Sequence, residues 1–191
     1  MKENVKYVGL DISTSIIGIS FIDYKENLIF LDNINLKKNK DFFEKVDVVK
    51  NKLLLYKKNY IFDEHTIFSI EEAFQSFSKG FSSAKTLSQL NKFNGIVSYL
   101  VYETFNIKPL YINVNTARKN LQIKIEKKSS ATTKEQVFSW VKEKLPDYDW
   151  PTKKLKSGPN KGLVKFDECC YDMSDAFVIC KALIYNEKNN L

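Results

Sequence analysis

Between Val5 and Asn35 the apolar and β-branched residues fall into three consecutive short runs, VKYVGLDI, IIGISFIDY and LIFLDNINL, separated by the polar turns STS and KEN. Runs of this length bounded by turn residues read as strands, and the short connections between them as an antiparallel meander. The period then changes. In DFFEKVDVVKNKLLLYKKN, Phe42, Val46, Val49, Leu53 and Tyr56 recur at helical spacing with lysines opposite, which predicts an amphipathic helix over 40–58. TIFSIEE follows as a short buried strand. Residues 83–105 carry Leu87, Leu90, Ile96, Val97, Leu100, Val101 and Phe105 on a helix too broadly apolar for one face, so it is expected to pack on two sides.

After Pro109, LYINVN reads as another strand leading into TARKNLQIK, one turn of helix. A further helix spans 133–145 with Thr132 or Thr133 as its cap. The stretch 146–166, rich in Pro, Gly and Lys and without period, reads as a basic loop. A closing helix is expected over Asp172 to Asn186. Three strands, helix, strand, helix, strand and helices in that order predict one α/β domain over 1–191, a mixed sheet flanked by helices.

Composition narrows the partner. The 191 residues are 43% hydrophobic, enough for one core, and the formal net charge of +7 favours an acidic polymer or surface over a small neutral metabolite. No run approaches the roughly 18 consecutive apolar residues of a membrane span, and MKENVKYVGLDI enters a strand without a signal-peptide core. A soluble, cytoplasmic protein with no membrane partner is expected. Cys169, Cys170 and Cys180 have no zinc-type spacing and read as reduced structural thiols, and His65 in FDEHT reads as a surface residue.

Four acids change the picture. Asp11 closes the first strand, Glu71 or Glu72 lies on a later one, and Asp172 with Asp175 sits on the last helix. Adjacent strand residues leave on opposite faces, so only one of Glu71 and Glu72 can face Asp11. Asp172 and Asp175, three apart, share a helical face. Asp11 has a simpler reading as a turn cap, and the helical pair as acids complementing a helix dipole. Yet four converging carboxylates would repel one another unless a cation sat among them, and hard Mg²⁺ prefers oxygen ligands. The set therefore reads as a site for two divalent ions acting on a phosphodiester.

The residues that carry these acids resemble the RuvC family of Holliday junction resolvases in the RNase H-like superfamily, and within it the phage and viral branch. GLDISTSIIGIS resembles the first family motif, IEEAFQSFSKGFSSAKTLSQLNKFNGIVSYL the second, VNTARKNLQIK with TTKEQV the basic third, and YDMSDAFVICKAL the acidic last. The resemblance implies an RNase H-like fold with a five-stranded mixed sheet. It also implies that Asp11, Glu71, Asp172 and Asp175 ligate two Mg²⁺ ions, for which Mn²⁺ substitutes, and it selects Glu71 over Glu72. Arg118, Lys119, Lys124 and Lys134 fall where the family carries basic residues and are expected at the DNA backbone, with Lys134 also neutralising charge in the transition state; a solvated lysine face is the alternative.

Phe74, Phe77 and Phe81 interleave with Ser, Gly and Lys after the strand acid. Such aromatics can stack on bases opened at a branch point, or pack a core. The resemblance favours Phe74 or Phe77 as a junction contact. The implied activity is paired, symmetric, metal-dependent nicking of four-way or other branched DNA in recombination and repair. Symmetric cutting suits a homodimer, with the helix over 83–105 as the shared patch. The family departs from this chain in the insert KKLKSGPNKGLVK. Two other classes fit parts of the sequence: a non-catalytic branched-DNA-binding protein whose acids only cap and pair, and an actin-like ATPase, whose phosphate loop GLDISTSIIG also resembles.

Overall fold

The computed structural model describes residues 2–72 and 84–189. Strands β1 (Asn4–Asp11), β2 (Ile16–Ile22) and β3 (Leu28–Asn35) form the expected antiparallel meander, with Asp11 directly opposite Gly18. Helix α1 (Phe42–Asn59) is capped by Asp41, whose carboxylate accepts from the backbone N–H groups of Phe43 and Glu44. It leads into β4 (Ile61–Glu71), which lies parallel to β1. Helix α2 (Ala84–Phe105) follows, then β5 (Leu110–Ile112), parallel to β4. The sheet order is β3-β2-β1-β4-β5, the mixed five-stranded sheet that the pattern predicts.

Helices α3 (Val114–Asn120), α4 (Thr133–Lys144) and α5 (Cys169–Asn189) cover one face of this sheet, and α1 with α2 the other. Strand alternation divides the residues between two cores. Val8, Leu10, Ile17, Ile19, Phe21, Phe68 and Ile70 point into an aromatic-rich layer under α1 and α2, while Tyr7, Ile16 and Ile22 point at α5. Helix α2 does pack on the sheet and on α1, while Tyr99 and Tyr102 remain exposed.

Several boundaries differ from expectation, among them that of LYINVN: β5 stops at Ile112, and Asn113 caps α3, which takes up Val114 and Asn115. The segment read as a loop contains a hairpin of β6 (Thr152–Lys154) and β7 (Val164–Phe166), whose strands expose most side chains and so lack the alternating buried face that marks a strand in sequence. Helix α5 starts at Cys169, with the Asp167 carboxylate accepting from the Cys169 N–H at 3.1 Å, so Asp172 lies inside its first turn and Asp175 a turn further on. FDEHT is an irregularity within β4: Val5 pairs with Phe62 and Tyr7 with Ile67, leaving the polar residues between them outside the ladder with β1, with His65 exposed as expected. Thr132, not Thr133, caps α4, in a reciprocal box with Glu135. The three cysteines are buried free thiols.

Helix α5 comes so close to the sheet because two strand positions carry no side chain. A Cβ on Gly18 would lie 1.9 Å from the backbone oxygen of Asp172, and one on Gly9 2.2 Å from that of Ala176. Both glycines face α5, on the same side of the sheet as Asp11. Adding atoms there means lifting the helix, and overpacking of this kind costs about 1–3 kcal/mol. Gly18→Ala is therefore expected to lower the unfolding free energy by that order, read as a lower urea midpoint at unchanged slope, and an unchanged midpoint would show that α5 is not seated on this glycine.

Candidate active site

Period-two alternation puts Tyr7, Gly9 and Asp11 on the α5 side of β1, and Ile67, Ser69 and Glu71 on the same side of β4. The parallel register pairs Leu10 with Ile70, so Asp11 and Glu71 emerge side by side where both strands end. Glu72 follows with its backbone N–H bonded to the Ile112 carbonyl, its side chain directed to the other face by the alternation. Helix α5, lying on Gly18 and Gly9, brings Asp172 and Asp175 over the same corner. Asp11 and Asp175 are buried at 7% and 6% exposure, and the Asp172 side chain is 13% exposed. Asp175 lies too far into the helix to serve as its cap.

Burial dominates the electrostatics. It pushes the Asp11 carboxyl well above its ordinary value, and the charges of Glu71, Asp175 and Asp172 push it further. Glu71 is also raised, first by burial and then by Asp175, against the pull of a hydrogen bond from Asp11. Burial and mutual repulsion thus favour the neutral form at this corner, most strongly at Asp11. Asp172 and Asp175 are raised by burial as well, though Lys134 and Arg118 respectively offset part of it.

Two cations reach into the corner. Arg118 Nη2 lies 3.2 Å from Asp175 Oδ1, on a side chain only 15% exposed, and its buried Nε has no hydrogen-bond partner among the described residues. Lys134, from the first turn of α4, brings Nζ to 3.4 Å from Asp172 Oδ1. Burial pulls the Lys134 ammonium down, but Asp172, Asp11 and Asp175 together outweigh it and hold it above its ordinary value. Lys119 and Lys124 stay exposed near α3. Phe74 and Phe77, the expected junction contacts, lie outside the described residues.

The donor set suits hard divalent ions by its chemistry, because four carboxylates with few other partners and mutual repulsion gain most from added positive charge. Among the described residues no three His, Cys, Asp or Glu side chains yet stand where they would hold one ion together. The charges are instead compensated by the Asp11–Glu71 hydrogen bond and the two basic side chains.

Sequence reasoning brings together Asp11, Glu71, Asp172, Asp175 and Lys134, all of which meet here. It places Arg118 at the DNA surface, whereas the guanidinium is turned inward to Asp175. It passes over Gly9 and Gly18, although a glycine inside a strand is itself a signal of close backbone approach.

Comparison with known proteins supplies the fold. No family model and no curated protein matches the chain. Among solved structures it is similar to Thermus thermophilus RuvC in complex with a Holliday junction substrate, with a TM-score of 0.61 and 14% identity over 95% of this chain and 94% of that one. It is also similar to Thermus thermophilus RuvC alone, TM-score 0.58 and 14% identity over 96% and 95%, and to the yeast mitochondrial Holliday junction resolvase, TM-score 0.54 and 14% identity over 97% and 80%. The fold is thus the RNase H-like fold of RuvC.

The raised carboxyls give a pH test. A folded pKa above the unfolded one means that the group's contribution to stability is full below its ordinary value, 3.8 for Asp11 and 4.5 for Glu71, and is lost as pH rises through the raised value. Asp11→Asn keeps a neutral hydrogen-bonding group in place. In chelator at neutral pH it is expected to melt higher than wild type by at least about 2 °C, the shift that about 1 kcal/mol gives at this size. The gap should close as pH falls toward 4. A gap independent of pH, or of opposite sign, would contradict the assignment.

Proposed function

We propose that the protein is a metal-dependent endonuclease, a single nuclease domain over residues 1–191 that makes paired symmetric nicks in four-way or related branched DNA. The observation that carries this reading is the convergence of four carboxylates from β1, β4 and α5 on one buried corner beside Lys134 and Arg118. The similar Thermus thermophilus RuvC structure, which contains a Holliday junction substrate, supports the choice of substrate.

Asp11, Glu71, Asp172 and Asp175 would hold two Mg²⁺ ions, with Mn²⁺ able to replace them. When bound, such ions activate a water and stabilise charge on the leaving 3′ oxygen. The chain's own residues do the rest. Asp11, whose burial and acidic neighbours favour its neutral form, would have to ionise to hold a cation there. Lys134, 57% exposed beside Asp172, can turn from that carboxylate to the scissile phosphate and hold the charge that develops there. Arg118 keeps Asp175 oriented and has Nε as a spare donor toward the same region. Lys119 and Lys124 lie free to meet the flanking phosphates, and Phe74 or Phe77 would contact opened bases. A homodimer would present two such corners to opposing strands, with exposed Tyr99 and Tyr102 of α2 in the shared surface.

The paired state of the acids favours one rival, a branched-DNA binder without catalysis. Labelled four-way junctions, Y-shaped DNA and linear duplex incubated with Mg²⁺ separate the two. Preferential, symmetric cutting of the junction is expected. An uncut junction that is nevertheless bound would establish the rival, and equal cutting of linear duplex would remove the branch selectivity.

Substitutions sharpen the roles. Asp11→Asn and Glu71→Gln are each expected to lower the cleavage rate at least a hundredfold with junction affinity retained, because a ligand is lost and no DNA contact is. Lys134→Ala is expected to cost about 10²–10³ in rate, the usual price of removing one donor to developing charge. Single-turnover rates measured beside binding curves would decide, and a fully active Asp11→Asn protein would refute the site.

A further inference from the structure

We infer that the β6–β7 hairpin is a second DNA-contacting element, a lysine ribbon that grips the phosphates of a duplex arm leaving the acidic corner; this rests on the nuclease reading above. Residues 152–166 contain five lysines and no acid. Lys153 is accounted for, lying 2.9 Å from Glu168 and 3.8 Å from Asp167, where it ties the root of the hairpin to the residues just before α5. Lys154, Lys156, Lys161 and Lys165 are exposed and pair with no carboxylate among the described residues.

A basic segment is often only a solvated face, but three features set this one apart. It is an ordered ribbon: the ladder continues past the strands, with the Leu155 N–H donating to the Leu163 carbonyl and the Gly162 N–H to the Leu155 carbonyl, both at 2.9 Å. Gly158 and Gly162, at φ of 80° and 95°, take the left-handed backbone that the turn requires. Its charges are also uncompensated where they conflict. Lys165 stands directly across the ladder from Lys153, a like-charge pairing that weakens a hairpin. The acids at the root relieve only the Lys153 side, so an anion at Lys165 would relieve the other. Finally, Leu163 and Val164 are 59% and 65% exposed between the lysines, so this edge of the ribbon is accessible to a partner.

The root is fixed to the catalytic side of the molecule. Phe166 meets Phe138 of α4 edge to face at 5.0 Å, and Lys142 of α4 sits 4.4 Å above the Phe166 ring. The same helix begins with Lys134 at Asp172, and β7 runs through Asp167 and Glu168 directly into α5. The tip therefore extends roughly 15 Å from a root that is one helical turn from Asp172. A two-stranded ribbon of this size is one that the major groove of a duplex admits.

The test compares wild type with a variant carrying Lys154→Gln, Lys156→Gln, Lys161→Gln and Lys165→Gln, and with the matching four-arginine variant. Binding to a four-way junction and to a linear duplex is measured in chelator at several salt concentrations. Each phosphate contact contributes about 0.9 to the slope of log affinity against log salt. The glutamine variant is expected to bind both DNAs with a slope shallower by about 2 to 4, and the arginine variant to match wild type. An unchanged slope overturns the inference, as does a hairpin that alters only self-association in sedimentation, which would mark a protein interface. If wild type leaves the junction uncut with Mg²⁺ while the slope still changes, the nuclease reading falls and the DNA-binding hairpin stands; wild type that binds no DNA overturns both.

Discussion

Burying carboxylates close together is the constraint on which this structure turns. Asp11, Glu71, Asp172 and Asp175 come from three elements far apart in sequence, and each loses water where they meet. Desolvation and mutual repulsion both oppose their charged forms. Without added positive charge the corner is offset by drawing in Arg118 and Lys134, while burial favours the neutral forms of Asp11 and Glu71. A protein gains no stability from such an arrangement, and its purpose is more naturally sought in what the corner binds.

The rest of the fold can be understood as the means of making that corner. Parallel pairing of β1 with β4 brings two strand ends, and hence two acids, to the same edge. Bare glycine backbone under α5 lets the helix sit low enough for its acids to reach them. Helix α4, capped by its Thr132–Glu135 box, fixes the direction in which Lys134 leaves. Because α4 also anchors Phe166, the position of the basic hairpin is coupled to that of the acids.

Much of this was legible in the sequence, for reasons that differ by element. The meander, α1 and α2 were readable because each buries an apolar face with a clear period. Strand alternation allowed only one of Glu71 and Glu72 to face Asp11, the family resemblance selected Glu71, and the register of β1 with β4 puts Glu71 beside Asp11. The hairpin at 152–166 was not readable, because its strands are held by backbone pairing and one docked aromatic, Phe166, and bury no repeating side. Nor was the inward turn of Arg118, since a basic residue after a strand looks the same in sequence whether it serves a neighbouring acid or a phosphate. The start of α5 was misplaced by three residues because Asp167, not Asp172, satisfies the first free N–H.

The central claim is that these four acids hold divalent cations in common. Anomalous scattering from a crystal soaked in Mn²⁺ tests it most directly. The account predicts manganese peaks among Asp11, Glu71, Asp172 and Asp175, with Lys134 moved off Asp172. Crystals with no peak at this corner, and with Arg118 and Lys134 still paired to Asp175 and Asp172, would contradict it.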